Sequence, residues 1–316
     1  MSRSSSLLLA ASLAASLSFA VTYTPVDYPG ASQTFLTGIN HFGLMTGYYS
    51  LPNLTFHSFL YQNGAFTSIP DFPGSTSTYV LGLNNDSLAV GHWTNNSSEG
   101  NFIYNLTTKT WTNVKVGNSS AGIFYGIDGY GETTGQAVVG GVSFAFDGFG
   151  NDYRLLKFPG ATATVGFGIS GAAGNSTRIV GEYLDSSSNF HGFLWVFGGF
   201  MGIDFPGSTS TVASGIYAAQ TNQSIQIVGT YTNANTPMPG SGEALEPGTD
   251  ITEAGIASLV ISPVTHGFLL SSLATWTSFD YPGITSATNP LSINDAGAIV
   301  GFYTAGGATH GFVRLP

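Results

Sequence analysis

Asp27-Tyr28-Pro29-Gly30, Asp71-Phe72-Pro73-Gly74, Lys157-Phe158-Pro159-Gly160, Asp204-Phe205-Pro206-Gly207 and Asp280-Tyr281-Pro282-Gly283 are versions of one tetrad. Their spacing decides the architecture. Pro29 to Pro73 is 44 residues, Pro159 to Pro206 is 47, and Pro73 to Pro159 is 86, two periods of 43. A further member sits in that double interval at Lys115-Val116-Gly117, where Pro is lost, and Pro206 to Pro282 is 76, one period plus an insertion. Self-similarity at such a period marks a repeat architecture, here of six units.

Each unit has the same internal order. After Pro-Gly comes a Thr (Thr34, Thr78, Thr164, Thr211, Thr288), then a strand end of the type Gly38-Ile39-Asn40 or Gly82-Leu83-Asn84. A turn leads to a small-residue strand ending in an aromatic, such as Leu44-Met45-Thr46-Gly47-Tyr48-Tyr49. A His-Ser/Gly-Phe strand follows at His57, His191, His266 and His310, and a fourth strand such as Ala65 to Ile69 runs into the next tetrad. Short runs of Val, Ile, Tyr and Phe between Gly, Asn and Pro are strands. Four strands per unit and six units predict an all-β, six-bladed β-propeller with four-stranded blades. The last unit stops at Pro316 without a fourth strand, and Val21 to Tyr28 is a spare fourth strand before the first Pro-Gly. Pairing the two closes the ring and removes its open edges. An open solenoid is the alternative, with both ends uncapped.

The chain has 316 residues, 7 basic and 17 acidic, with a net charge of −10 and no Cys. So few Lys and Arg leave no electrostatic footprint for nucleic acid. Without Cys there are no disulfides, thiolate metal sites or Cys nucleophiles. Met1-Ser2-Arg3, the apolar run Leu7 to Leu17 and Ser18-Phe19-Ala20 read as a signal peptide cleaved after Ala20. That run is too short to span a bilayer, and no other stretch is long and apolar enough. The expectation is a secreted, extracellular, monomeric protein: residues 1–20 a signal peptide, residues 21–316 one propeller.

The alternation of Gly-Ile-Asn, Val-Gly-x-Tyr, His-Gly-Phe-Leu and Asp-Phe-Pro-Gly over residues 21–316 resembles the extracellular HAF-type repeat family of bacterial secreted proteins. Unit 3 departs from it, with Ser143 read in place of His and Lys115-Val116-Gly117 in place of the tetrad. The resemblance implies an exported propeller-like repeat and no established reaction or catalytic residues.

A residue repeated in most units is first a framework residue. The four His read as satisfying backbone groups at the start of the third strand; a metal role would need them to converge, and blade-related positions diverge. The tetrad Asp reads as a turn cap and the Asn of Gly-Ile-Asn as an Asx turn. The column Tyr49, Trp93, Tyr183, Tyr231 and Tyr303 packs between blades. Beside it the residues Tyr48, His92, Glu182, Thr230 and Phe302 vary. His92 and Glu182 are candidate catalytic acid–base groups, although two blades apart. Lys115 and Lys157 replace Asp and give the ring of inter-blade turns a positive arc. No Walker, HExxH, GxSxG or calcium-loop pattern occurs, so no cofactor or metal is expected. Tyr231 to His266 is 35 residues where Tyr49 to His57 is 8, an insertion at about 235–262.

These features predict a module that binds an extracellular ligand such as a polysaccharide. A secreted polysaccharide lyase or glycoside hydrolase and a structural envelope protein are the alternatives. A hydrolase needs two carboxylates about 5–9.5 Å apart, and no unique pair stands out. The Pro-Gly side of the ring is the expected binding face, with Tyr48, Tyr49, Trp93, Lys115, Lys157, Tyr183, Tyr231 and Tyr303 and the insertion beside it. The opposite side, with His41, is expected to be inert.

Overall fold

The computed structural model describes residues 20–150, 152–171, 177–219, 225–233 and 264–316. The expected signal peptide, up to residue 19, and the insertion at 235–262 lie outside the described residues.

Blade 1 is β2 (Gln33–Ile39), β3 (Met45–Ser50), β4 (Phe56–Gln62) and β5 (Ala65–Ser68). Blade 2 is β6 (Ser77–Leu83), β7 (Leu88–Thr94), β8 (Glu99–Asn105) and β9 (Thr110–Val114). Blade 3 is β10 (Ala121–Ile127), β11 (Thr133–Val139), β12 (Val142–Phe149) and β13 (Asp152–Leu156). Blade 4 is β14 (Ala163–Ser170), β15 (Arg178–Leu184), β16 (Phe190–Val196) and β17 (Gly199–Ile203). Blade 5 is β18 (Ser210–Ala218), β19 (Ile225–Thr232), β20 (His266–Ser271) and β21 (Thr275–Phe279). Blade 6 is β22 (Thr288–Ile293), β23 (Ile299–Ala305), β24 (Ala308–Leu315) and, from the other end of the chain, β1 (Thr22–Val26). Each blade is one antiparallel four-stranded sheet, and the last has the order β1-β24-β23-β22. Thr22 pairs with Leu315 and Val26 with Gly311, so the ring closes as a six-bladed propeller. Among the described residues no helix is long and apolar enough to cross a membrane.

The Pro-Gly turn explains its own sequence. Gly30, Gly74, Gly160, Gly207 and Gly283 sit at φ near +80°, open to Gly and strained for other residues. The Thr that follows accepts a hydrogen bond from the tetrad's aromatic N–H, as Tyr28 N to Thr34 Oγ1 at 3.0 Å. The same bond recurs at Thr78, Thr164, Thr211 and Thr288.

Gly-Ile-Asn serves the opposite end of the inner strand. All six inner strands carry a bulge just before this triplet. There adjacent blades nearly touch: a Cβ on Gly82 would lie 2.6 Å from the Tyr125 carbonyl oxygen. Asn40 Oδ1 accepts the N–H groups of Phe42 and Leu44, the Asx turn its position predicts. Its amide also ties blades together. Asn294 Nδ2 donates to the Asn40 carbonyl, Asn40 Nδ2 to that of Asn84, and Asn84 Nδ2 to that of Asp128.

Candidate functional site

The repeated His and Asp residues form a clamp between blades. His57 Nδ1 lies 2.9 Å from Asp71 Oδ2, His191 Nδ1 3.1 Å from Asp204, His266 Nδ1 3.0 Å from Asp280 and His310 Nδ1 3.0 Å from Asp27. This corrects two sequence expectations, because the His meets a carboxylate rather than backbone, and the Asp accepts from that ring. The residue after each Asp then stacks on the next blade. Tyr28 on Tyr49, Phe158 on Tyr183, Phe205 on Tyr231 and Tyr281 on Tyr303 all have centroids 3.7 Å apart. Phe72 stacks on Trp93 at 4.8 Å.

Two seams replace both halves of the clamp. At the first, Gly100 stands opposite Trp93 in the His position and Lys115 replaces Asp. The stack there becomes Val116 with Ala137, in one core cluster with Phe124 and Phe146. At the second, the register places Phe144 opposite Ala137, so Phe144 and not Ser143 occupies the His position. Lys157 Nζ lies 5.7 Å from the Phe144 ring centroid, a cation–π contact in place of the ion pair. Lys115 and Lys157 are exposed seam residues.

The Pro-Gly side is the face on which the sequence places ligand binding. The rings of Tyr49, Trp93, Tyr183, Tyr231 and Tyr303 are already stacked within the protein. Tyr48 is buried with Phe35, Phe56, Tyr79, Ile123, Val165, Val212 and Phe302 in one cluster that spans the axis, and Tyr48 and Phe302 also line the axial cavity of the other half. Phe35 stacks on Tyr48 at 4.5 Å and meets Phe302 edge-on at 5.2 Å. That half of the channel is filled.

His92 and Glu182 are both buried, at 0% and 1% exposure, in different seams. His92 Nδ1 lies 3.2 Å from Asn101 Oδ1 and its Nε2 3.7 Å from Glu99 Oε2, both in its own blade. Glu182 instead acts on Tyr125: burial pushes the Tyr125 hydroxyl pKa up, and the Glu182 charge adds to the rise. The expected acid–base pair is thus replaced by two separate partnerships. Among the described residues no group of three His, Asp or Glu is arranged to hold a metal.

The open half of the channel is the Gly-Ile-Asn half. A cavity of about 140 Å³ lies on the axis among the last residues of all six inner strands. Its wall is the bulge ring Thr37, Leu81, Tyr125, Phe167, Ser214 and Leu291, with Ile39, Leu83, Ile127, Ile169, Ile216 and Ile293 beneath. The ring is divided. Blades 5 and 1 supply Ser214 and Thr37, blades 2, 3, 4 and 6 supply Leu81, Tyr125, Phe167 and Leu291, and Ser292 of blade 6 lies at the position that is Gly in the other five. Thr37 Oγ1 already donates to the Val80 carbonyl at 2.9 Å, whereas Ser214 and Ser292 hydroxyls make no hydrogen bond with described residues. Tyr125 and Phe167 meet edge-on at 5.0 Å. No Asp, Glu, His, Lys or Arg lines the cavity.

The cavity lies on the side that sequence reasoning marked inert. His41, at 55% side-chain exposure, is paired there with Asp295 across the seam of blades 6 and 1. Its lining was missed, yet a signal exists: the residue before Gly-Ile-Asn differs from unit to unit while the triplet recurs.

No family model and no curated protein matches the chain. Solved structures do. SapL1 lectin in complex with alpha methyl fucoside has a TM-score of 0.52 at 9% identity, covering 87% of this chain and 90% of that one. A variant of Aleuria aurantia lectin in complex with Fucα1-6GlcNAc has a TM-score of 0.50 at 12% identity, covering 90% and 91%. TolB from Acinetobacter baumannii has a TM-score of 0.50 at 12% identity, and this chain covers 54% of its length, about half. At these identities the likeness is one of fold, and the fold is the six-bladed propeller.

Proposed function

We propose that the protein is an exported HAF-type repeat propeller that binds an uncharged sugar unit of an extracellular glycan in the axial socket. One observation carries this reading: the socket is divided between free hydroxyls and an aromatic and aliphatic wall, and no charge lines it. A sugar ring offers the matching pair of surfaces, C–H patches for Tyr125, Phe167 and Leu81 and hydroxyls for Ser214 and Ser292. A charged ligand would lose its hydration there with no counter-charge to replace it. The same uncharged lining supports binding over hydrolysis, because general acid–base chemistry needs a titratable group within reach of the bond. Tyr125 is the lining group nearest to that role, and its raised pKa keeps it neutral at pH 7. Lectins among the structural likenesses bind fucosides, which supports the sugar class without fixing the sugar. Export rests on Met1-Ser2-Arg3, the Leu7 to Leu17 run and Ser18-Phe19-Ala20.

A glycan array with residues 21–316 tests the reading. Signal on neutral glycans that exceeds signal on uronate or sulfated glycans is expected. A blank array, or preference for acidic glycans, would overturn it.

A further inference from the structure

The run of amides that ties blades 6, 1, 2 and 3 together ends on an acidic residue. Asn294, Asn40 and Asn84 each accept the N–H groups of their own turn through Oδ1 and donate through Nδ2 to the next blade's backbone carbonyl. Asp128 follows them in blade 3. Its Oδ1 does what Asn Oδ1 does, accepting from Tyr130 N and Glu132 N at 2.9 Å. Its Oδ2 stands where the donating nitrogen would be, buried and with no hydrogen-bond partner among the described residues. That oxygen packs against blade 4, since a Cβ on Gly171 would lie 1.9 Å from it. Ser170 is the blade 4 residue whose carbonyl corresponds to the acceptors at Asn40, Asn84 and Asp128.

An ionised carboxylate has nothing to donate at this position. A protonated one has an O–H in the place of the amide N–H. We propose that Asp128 is a proton-operated latch: in its acid form it donates to the Ser170 carbonyl and holds blade 3 to blade 4, and its ionisation releases that seam at the mouth of the axial socket. The surroundings favour the acid form. Burial pushes the carboxyl up to about 6 and the Glu132 charge adds to this, against the lowering effect of the N–H groups of Tyr130, Glu132 and Gly131. Glu132 is on the same turn and accepts from Thr177 of blade 4. From blade 2 the group packed on Asp128 is the neutral Asn84 amide, and from blade 4 it is the Gly171 backbone. The same strand end carries Gly126 and Ile127 into the socket wall, and the turn carries Tyr130 against Gly171 of blade 4.

A folded-state pKa above the unfolded value means that this stabilisation is present at low pH and is lost as pH rises through about 6. The consequence for ligand affinity rests on the socket reading above, but the latch does not, so the test uses no ligand. Asp-carboxyl ¹³C-labelled protein should show one aspartate titrating near 6 that is missing in Asp128→Asn. Amide exchange at Gly171, on the blade 4 side of the seam, corrected for intrinsic rates, should speed up about tenfold from about pH 5 to pH 7.5 in the unchanged protein. It should stay flat in Asp128→Asn, where an amide donates at any pH. An Asp128 midpoint near 4, the usual carboxylate value, would overturn the proposal, as would a pH-independent seam in the unchanged protein. If Asp128→Asn does not fold, the titration and exchange of the unchanged protein still decide.

Discussion

Asp27 and His310 are 283 residues apart in sequence, and their side chains are joined at 3.0 Å. The pair is the fourth of the His–Asp clamps and the one that fastens the two ends of the chain. Beside it the Thr22–Val26 strand completes blade 6 and buries Val26 to 2% exposure. Deleting residues 21–26 should leave β24 as a bare edge and lower the melting temperature by more than about 10 °C. The single change His310→Ala removes a partly exposed hydrogen bond to Asp27 and a ring contact with Tyr303, and should cost about 0.5–1 kcal/mol. Thermal melts of the two variants distinguish the contributions; equal small losses would mean that the ring does not depend on β1.

The stacks should be coupled pairs rather than independent hydrophobes. Phe158 and Tyr183 lie with their ring planes 5° from parallel, one from the linker and one from the blade it enters. A double-mutant cycle of Phe158→Ala and Tyr183→Ala should give a coupling energy of about 1 kcal/mol in urea unfolding. Additive losses would place the stabilisation in burial alone.

Two glycines should respond in opposite ways. Gly82→Ala would press a methyl into the Tyr125 carbonyl of the next blade, while the space around Gly129 is open. The first should destabilise by about 1–3 kcal/mol, the usual cost of overpacking. Gly129→Ala should lie within about 0.5 kcal/mol of the parent. The two urea midpoints decide it, and a neutral Gly82→Ala would show that the inner ring is looser than the contacts indicate.

Much of the fold is legible in the tetrad and its period, because Pro-Gly turns and alternating strands are local physics. Closure is also legible, from a strand too many before Gly30 and one too few after Pro316. The clamp is not, since His57 belongs to one strand and Asp71 to a turn 14 residues later, and only the sheet register aims them at each other. The same register corrects Ser143 to Phe144 in blade 3. The axial cavity was overlooked for a comparable reason. Phe35, Tyr48 and Tyr79 look like free aromatics in sequence, and only their convergence on one axis fills that half of the channel. The bulge that turns Thr37, Leu81 and Tyr125 into the open half breaks the alternation on which strand reading depends.

The central claim is that the axial socket on the Gly-Ile-Asn side is the binding site. Ser214→Trp fills it from the hydroxyl side without touching a clamp or a stack, and Tyr183→Ala opens a stack on the Pro-Gly side. The most direct measurement is the affinity of both variants for the best neutral glycan of the array, with melting temperatures alongside. The account predicts at least about 100-fold weaker binding for a folded Ser214→Trp, roughly 2.7 kcal/mol, and binding within about threefold of the parent for Tyr183→Ala. Unchanged affinity with the socket filled, or loss on opening the stack alone, would contradict it.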